Sequence, residues 1–241
     1  MTTYNKQDPE SIRALFSDIA KNYDRGNAIL SLQLFRLWNR KLIKKTLLSH
    51  HPKKVLDLCC GTGAIGLSYL KRVPRQHLPK ELILADFCEE MLACAKNKAK
   101  TFPIPTKIRY LEADAQKLPL PSETVDAVTL AYGLRNIKDP ALCIKEIFRL
   151  LRKGGKAGIL ELTRPKNPLI RLGHTCYLHT IVPLVGKVIT SNQEAYQYLC
   201  NSIHTFVPPE DIVFQLKKTG FREIKQTSLA GGIATLFTAN K

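Results

Sequence analysis

The feature that most constrains this 241-residue chain is a turn. The apolar run Lys54-Val-Leu-Asp-Leu-Cys59 reads as a buried strand, and a helical pattern over 63–72 follows it almost at once. Between them lies Gly61-Thr62-Gly63-Ala64-Ile65-Gly66. Glycines there let the backbone come close to a ligand, and the helix that begins after them offers unpaired N–H groups at its N-terminus. Asp86 ends the next apolar run, 20 residues beyond Gly66, where a carboxylate can accept both hydroxyls of a ribose. The Gly-x-Gly-x-x-Gly spacing with that acid matches a dinucleotide-type fingerprint. On the fingerprint alone, NAD and S-adenosylmethionine (SAM) both fit.

The rest of the chain repeats the alternation. Apolar runs at 81–86, 107–112, 124–130 and 156–162 read as strands, with helical patterns at 88–100 and 140–151. Pro140 suits a first helical turn, and Gly154-Gly155 reads as the stop of that helix. Strands that alternate with helices imply a mostly parallel α/β sheet with helices on both faces. At the end, 221–227 and 233–239 flank Gly231-Gly232 with no helix between them, which predicts an antiparallel terminal hairpin and seven strands in all. The chain reads as one domain, with a helical N-terminal lead-in at 10–48 and a Pro-punctuated helical insertion at 164–205. Both flanks are expected to cover the active edge.

Three features favour SAM over NAD. Asp57 precedes the glycines, where its carboxylate can help hold a cationic amino-acid group, whereas a pyrophosphate gains nothing from that charge. Asp114 follows the third strand, placed to meet an adenine edge beside Ala115. The terminal hairpin suits a methyltransferase sheet better than an NAD-binding one.

Charge adds a second line of argument. Lys and Arg number 37 against 20 Asp and Glu, a net charge of +17. Eight basic residues and no acid lie between Arg25 and Leu56, and a second acid-free stretch lies between Glu161 and Glu194. Such a balance suits nucleic acid, an anionic membrane surface, or only a solvated face. Nucleic acid is the poorer match. There is no Asn/Asp-Pro-Pro-aromatic motif, no Pro-Cys nucleophile motif, and no aromatics interleaved with the basic residues. No apolar run approaches the ~18 residues of a membrane span. The first ten residues carry no apolar h-region, so no signal peptide is expected. The seven cysteines form no Cys-x-x-Cys pair, which predicts reduced thiols, a cytoplasmic setting and no metal site.

Several segments together resemble a known family. Val55-Leu-Asp-Leu-Cys-Cys-Gly-Thr-Gly63, Leu84-Ala-Asp-Phe87 and Glu112-Ala-Asp-Ala115 are similar to the cofactor motifs of class I, Rossmann-like methyltransferases. Tyr132-Gly-Leu-Arg135-Asn136-Ile-Lys-Asp139 is more specific, as is Phe16-Ser-Asp-Ile-Ala-Lys-Asn-Tyr23-Asp24-Arg-Gly-Asn27 with Arg36-Leu-Trp38. With Lys153-Gly-Gly155 and Leu160-Glu-Leu-Thr-Arg-Pro165, they resemble the ubiquinone/menaquinone biosynthesis C-methyltransferases from about residue 16 to the end. The resemblance implies transfer of the SAM methyl to a ring carbon of a prenylated quinol, demethylmenaquinol being favoured. It implies SAM contacts from Thr62, Asp86, Asp114 and Ala115 beside the Gly61 and Gly63 loop. Ala64 stands where members often have Asp, and Ala131 where many have Ser. A hydroxyl contact at Ala131 is therefore lost.

Methylating a ring carbon requires an electron-rich ring, which means a quinol whose phenol loses its proton. A phenol pKa near 10 leaves about one molecule in a thousand ionised at pH 7, a deficit of ~4 kcal/mol. Arg135, charged at any relevant pH, is the expected phenolate stabiliser or water orienter. Asn136 can position the same water or hydroxyl, and Tyr23 can hydrogen-bond either substrate. Glu161 is a candidate base. The bland alternatives are a surface ion pair between Arg135 and Asp139, a helix cap at Asp24, and packing roles for His174, His179 and His204. A prenylated quinol resides in a bilayer, so peripheral contact with anionic membrane is expected. Arg36, Arg40 and Lys44 opposite Leu34, Trp38 and Leu42 would face the lipid. Ile181-Val-Pro-Leu-Val185 would line a tail groove.

Overall fold

The computed structural model describes residues 5–101, 105–189 and 193–241. In strand β1 (Lys54–Leu58) every side chain from Val55 to Leu58 is buried, as both faces of a central parallel strand require. It pairs in parallel with β2 (Glu81–Asp86) on one side and β4 (Val125–Ala131) on the other. β3 (Lys107–Glu112) lies outside β2, and β5 (Leu151–Leu162) lies beside β4. β6 (Arg222–Leu229) and β7 (Ala234–Asn240) form the antiparallel hairpin, with β7 inserted against β5. The order is β3-β2-β1-β4-β5-β7-β6. The chain winds outward to β3 and then crosses back to β4. The carboxyl ends of β1 and β4 therefore flank the switch point, where open α/β sheets bind ligands.

Alternation along the strands divides the core. Leu56, Leu58, Val128 and Leu130 face α6 (Pro140–Leu150) and α9 (Pro209–Thr219). Val55, Leu82 and Leu84 face α3 (Leu34–Ile43), α4 (Ala64–Arg72) and α5 (Glu89–Ala99). α6 buries Cys143, Ile144, Ile147 and Leu150, one stripe at helical spacing. Asp139 caps it by accepting from the N–H groups of Ala141 and Leu142. Four more helices crowd the carboxyl edge: α1 (Pro9–Ile19), α2 (Tyr23–Leu30), α7 (Pro168–Ile189) and α8 (Gln193–Thr205). α1 packs on α5, α2 on α7, and α8 on the turn Leu134–Asn136. The N-terminal lead-in and the insertion thus lie over the same edge.

Two expectations change. Gly154-Gly155 does not stop a helix. α6 ends at Leu150, and β5 begins at once, running through both glycines with a register shift against β4. A Cβ on Gly155 would stand 2.8 Å from the Arg152 carbonyl oxygen, so the pair permits a bend within a strand. Trp38 and Leu42 belong to the core beneath α3, while Arg36, Arg40 and Lys44 are exposed. That apolar face is therefore structural at these two positions. The α9 helix, which the sequence reading did not single out, covers the second face of the sheet.

α3 continues into a π-helical turn, Lys44–Leu48, whose Thr46 presses on β5 at Gly158. A Cβ at Gly158 would lie 2.1 Å from Thr46 Oγ1 and 2.7 Å from Leu42 Cδ1. Gly158→Ala is expected to cost about 1–3 kcal/mol through overpacking, read as a lower urea midpoint with an unchanged slope.

Candidate active site

The glycine loop turns because Cys59, Gly61 and Gly63 take positive φ values of 52°, 52° and 76°. Asp57 lies under the helix that follows. Its carboxylate accepts from the Gly66 N–H at 2.9 Å and the Thr129 hydroxyl at 2.7 Å, which ties the first turn of α4 to β1 and β4. A Cβ on Gly66 would meet Leu84 at 2.8 Å, so this third glycine lets α4 press on the sheet. Asp86 accepts from the N–H groups of Gly61 at 2.8 Å and Cys88 at 3.0 Å, which fixes its carboxylate against the loop.

Above the loop is a cavity of about 460 Å³. Gly61, Asp86, Asp114, Ala115, Ala131 and Asn136 line it, together with Phe16, Phe87 and Tyr132. Asp114 holds the facing Gln116 through its backbone and side-chain amides. The volume falls in the range of small-molecule sites. A carboxylate beside a glycine backbone, aromatic walls and a second acid suit an adenosine. Thr62, Asp57 and Gly63 lie elsewhere. Thr62 and Asp57 border a small recess of about 40 Å³ behind the loop, together with Asp24, Gly61 and Ala64. Gly63 lines none of these cavities, and its place against Leu67 and Ala95 makes it a packing glycine at the start of α4.

A second cavity of about 470 Å³ lies under α7, and its wall is mainly apolar. Leu30, Phe35, Trp38, Leu162, Val182 and Ile203 contribute to it, and Tyr23, Asn27, Tyr132 and Arg135 supply polar groups. Tyr23 and Tyr132 line this cavity, the polar one above the loop and the small recess. They form the shared partition. Val182 brings the expected tail segment into this wall. The side chains of Leu184 and Val185 lie outside the described residues.

Arg135 is buried, and its Nη1 donates to Glu161 Oε1 at 2.7 Å. The Arg135 N–H donates to Glu161 Oε2 at 3.1 Å, and Nε donates to the Ser202 hydroxyl at 3.3 Å. Burial opposes the guanidinium's charge, but the Glu161 carboxylate outweighs it and the pKa is raised. The pairing with Asp139 does not occur, because Asp139 caps α6. Glu161 lines neither large cavity, and its oxygens are taken by Arg135 and the Leu162 N–H, so it holds Arg135 and is not placed to act as base. Asn136 faces the polar cavity, with its amide donating to the Tyr132 carbonyl and accepting from the Tyr198 hydroxyl at 3.1 Å. Asp24 is not a helix cap. It accepts from the Thr62 hydroxyl at 2.6 Å and pairs with Lys98, latching α2 onto the glycine loop.

Asn27 stands in the Tyr23 motif but is assigned no role from the sequence, and the Tyr132–Asn39 hydrogen bond, 3.0 Å, is not foreseen there. Asn27 was legible in principle, since it follows Tyr23 by one helical turn and hydrogen-bonds its hydroxyl. Among the described residues there is no group of three metal-ligating side chains, and no helix is long and apolar enough to cross a membrane.

The ubiE/COQ5 methyltransferase family model matches residues 1–241. The chain belongs to this family. The demethylmenaquinone methyltransferase of Protochlamydia amoebophila is 48% identical over 242 residues, covering 100% of this chain and 99% of that protein. The protein of the same name from Chlamydia muridarum is 37% identical, covering 98% and 99%. The ubiquinone/menaquinone biosynthesis C-methyltransferase UbiE of Rickettsia bellii is 33% identical, covering 95% and 92%. Among solved structures, a SAM-dependent methyltransferase from Thermotoga maritima superposes with a TM-score of 0.63 at 18% identity, covering 95% and 98%. One from Aquifex aeolicus gives 0.55 at 18% identity, covering 83% and 88%. The fold is that of the class I methyltransferases, and the chain is a methyltransferase of the UbiE type.

Burial holds both loop carboxyls above their ordinary range near 4, Asp57 at about 7 and Asp86 at about 6, against the hydrogen bonds that pull them down. A carboxyl raised in the folded state favours folding below its unfolded pKa. Its contribution is lost as pH rises from about 4 to its folded value. Asp57→Asn keeps the shape without the ionisation. In urea titrations of ligand-free protein between pH 4.5 and 8, the variant should gain on the order of 3 kcal/mol relative to wild type as pH rises. A constant difference across that range would contradict the assignment.

Proposed function

We propose that this methyltransferase transfers a methyl group from SAM to a ring carbon of a prenylated quinol, with demethylmenaquinol as the acceptor. One observation carries the reading: a polar cavity and an apolar cavity of nearly equal size share the wall formed by Tyr23 and Tyr132. The names of the relatives point to the same acceptor.

When bound, SAM supplies an electrophilic methyl on a sulfonium. Asp86 suits its ribose, Asp114 and Ala115 its adenine, and the Gly61 backbone the amino-acid end, while Asp57 and Thr62 shape the loop from behind. Ala131 offers only a surface.

The remaining work falls to the acceptor side. Arg135 is already paired with Glu161, so it presents no bare charge. It presents fixed N–H donors, which act more strongly where water is excluded. Burial raises the Tyr23 pKa although Arg135 pulls it down, and burial raises that of Tyr132 well above the usual phenol value. Both stay protonated; the Tyr132 hydroxyl donates to Asn39, which leaves the Tyr23 hydroxyl to donate to a phenolate oxygen. Arg135, Tyr23 and Asn27 can therefore stabilise the quinol in its ionised form and orient it toward the partition. His174 lies on the same wall, and burial lowers its pKa, so it presents a neutral imidazole there. Asn136 lies on the donor side and orients Tyr132 through its carbonyl. A prenylated acceptor also takes the enzyme to a bilayer surface for part of its cycle.

Arg135→Ala should lower turnover of a short-chain reduced naphthoquinol at least a hundredfold, followed by mass spectrometry of the methylated ring, with SAM affinity by calorimetry within about threefold. The same change leaves Glu161 buried and unpaired, which costs about 3–5 kcal/mol of stability. The double variant Arg135→Met with Glu161→Gln should recover much of that stability and none of the turnover. Wild-type turnover in the double variant would remove Arg135 from the chemistry. No methylation of any reduced quinol by wild-type protein would remove the function.

A further inference from the structure

The two acid-free stretches of the sequence meet in space. α2 packs on α7, and the Tyr177 hydroxyl donates to the Leu30 carbonyl at 2.6 Å, which ties the end of α2 to the insertion. Around this junction the structure leaves large apolar side chains in the open. Leu32 is 74% exposed and Leu37 is 55% exposed on one segment, while Leu169 at 80% and Leu172 at 63% stand on the other. Leu32, Leu34 and Ile170 are exposed and also line the apolar cavity. They therefore mark its mouth.

The backbone holds this arrangement against its own preference. Leu32 and Gln33 take successive left-handed conformations, with φ of 48° and 65°, a region that L-residues seldom occupy. Nothing in the fold buries Leu32 in exchange. Exposed apolar groups collected at one rim mark an interaction surface, whereas scattered ones do not. Arg36 and Arg40 stand exposed on α3 beside them, and Arg164 and Arg171 are exposed around the start of α7. Lys166 nearby pairs with Glu210 and is neutralised. No acid occurs in either stretch, 25–56 or 162–193.

We propose that this face, formed by the α2–α3 turn and the first turns of α7, docks on an anionic lipid bilayer, with the cavity mouth opening directly into the acyl layer. The inference rests on the prenylated-quinol reading for its purpose and names the partner of that site. Apolar insertion together with Arg36 and Arg40, from a stretch without acids, and a surplus of Arg164 and Arg171 over the single nearby Glu210, fits a lipid surface carrying negative headgroups. A protein partner with an acidic rim would meet the same charge. It would not explain why exposed leucines gather at the mouth of a cavity that shares a wall with the donor cavity, where a membrane-dissolved acceptor must enter.

Flotation of the full chain with vesicles tests the docking without any substrate. Binding is expected to vesicles containing phosphatidylglycerol and to be at least tenfold weaker with phosphatidylcholine alone. It should fall at least tenfold between low salt and 0.5 M salt. Leu37→Asp with Leu169→Asp and Leu172→Asp should abolish flotation, and Arg36→Ser with Arg40→Ser should weaken it several-fold. These five side chains lie outside the cavity wall, so methylation of a short-chain quinol in solution should stay within about twofold in both variants. Turnover of a long-chain quinol in vesicles should drop at least tenfold in the leucine variant. As a second readout, Leu172→Trp should show a blue-shifted emission on adding anionic vesicles. Flotation that is absent, or unchanged in the leucine variant, overturns the docking, as does a stable dimer in solution that the same variant dissociates. Vesicle binding without methylation of any quinol would overturn the functional reading and leave the docking intact.

Discussion

A guanidinium and a carboxylate with almost no access to water hold the wall of the apolar cavity. Arg135 is 7% exposed and Glu161 is fully buried. Removing two such charges from water costs several kcal/mol per ion, and their attraction seldom returns more than that. The pair is therefore weak as a source of stability and strong as a constraint. Glu161 ends β5, Arg135 sits in the turn after β4, and Ser202 reaches the guanidinium from α8. One cluster thus fixes the sheet edge, the turn and the insertion relative to one another. Tyr132, whose carbonyl also accepts from Arg135, sits at a positive φ of 60° in the same turn.

The donor side relies on a different compromise. Asp57 and Asp86 spend their hydrogen-bonding capacity on backbone N–H groups, so the glycine loop is shaped before any ligand arrives. Burial makes ionising those carboxyls unfavourable. A cationic or hydroxyl-rich ligand reduces that penalty by supplying partners, so part of the binding free energy comes from relieving a cost built into the empty loop. The latch of Asp24 on Thr62 and Lys98 extends the same logic to α2 and carries Tyr23 into position.

Much of this was legible in the sequence where local rules apply. The parallel α/β sheet followed from alternating apolar runs, the hairpin from Gly231-Gly232, and the loop from its glycine spacing and Asp86. The failures have a common physical cause. Gly154-Gly155 looked like a helix stop because sequence does not say whether a glycine pair ends one element or bends the next. The bland alternative for Arg135 was a pair with Asp139, four residues away, whereas its partner lies 26 residues on in the neighbouring strand. Asp24 looked like a cap because its true partners, Thr62 and Lys98, come from other elements. Trp38 and Leu42 read equally as lipid-facing or core, since periodicity finds an apolar face and not what covers it.

The shared wall of Tyr23 and Tyr132 divides the chain's evolutionary freedom. Donor-side groups come largely from the sheet ends between residues 57 and 137, whereas the greasy chamber is walled mostly by 27–38 and 162–203. Drift in the second set can reshape which ring and tail are admitted while the first set stays fixed. The architecture thereby lets one half of the enzyme explore new acceptors with the other half under unbroken selection.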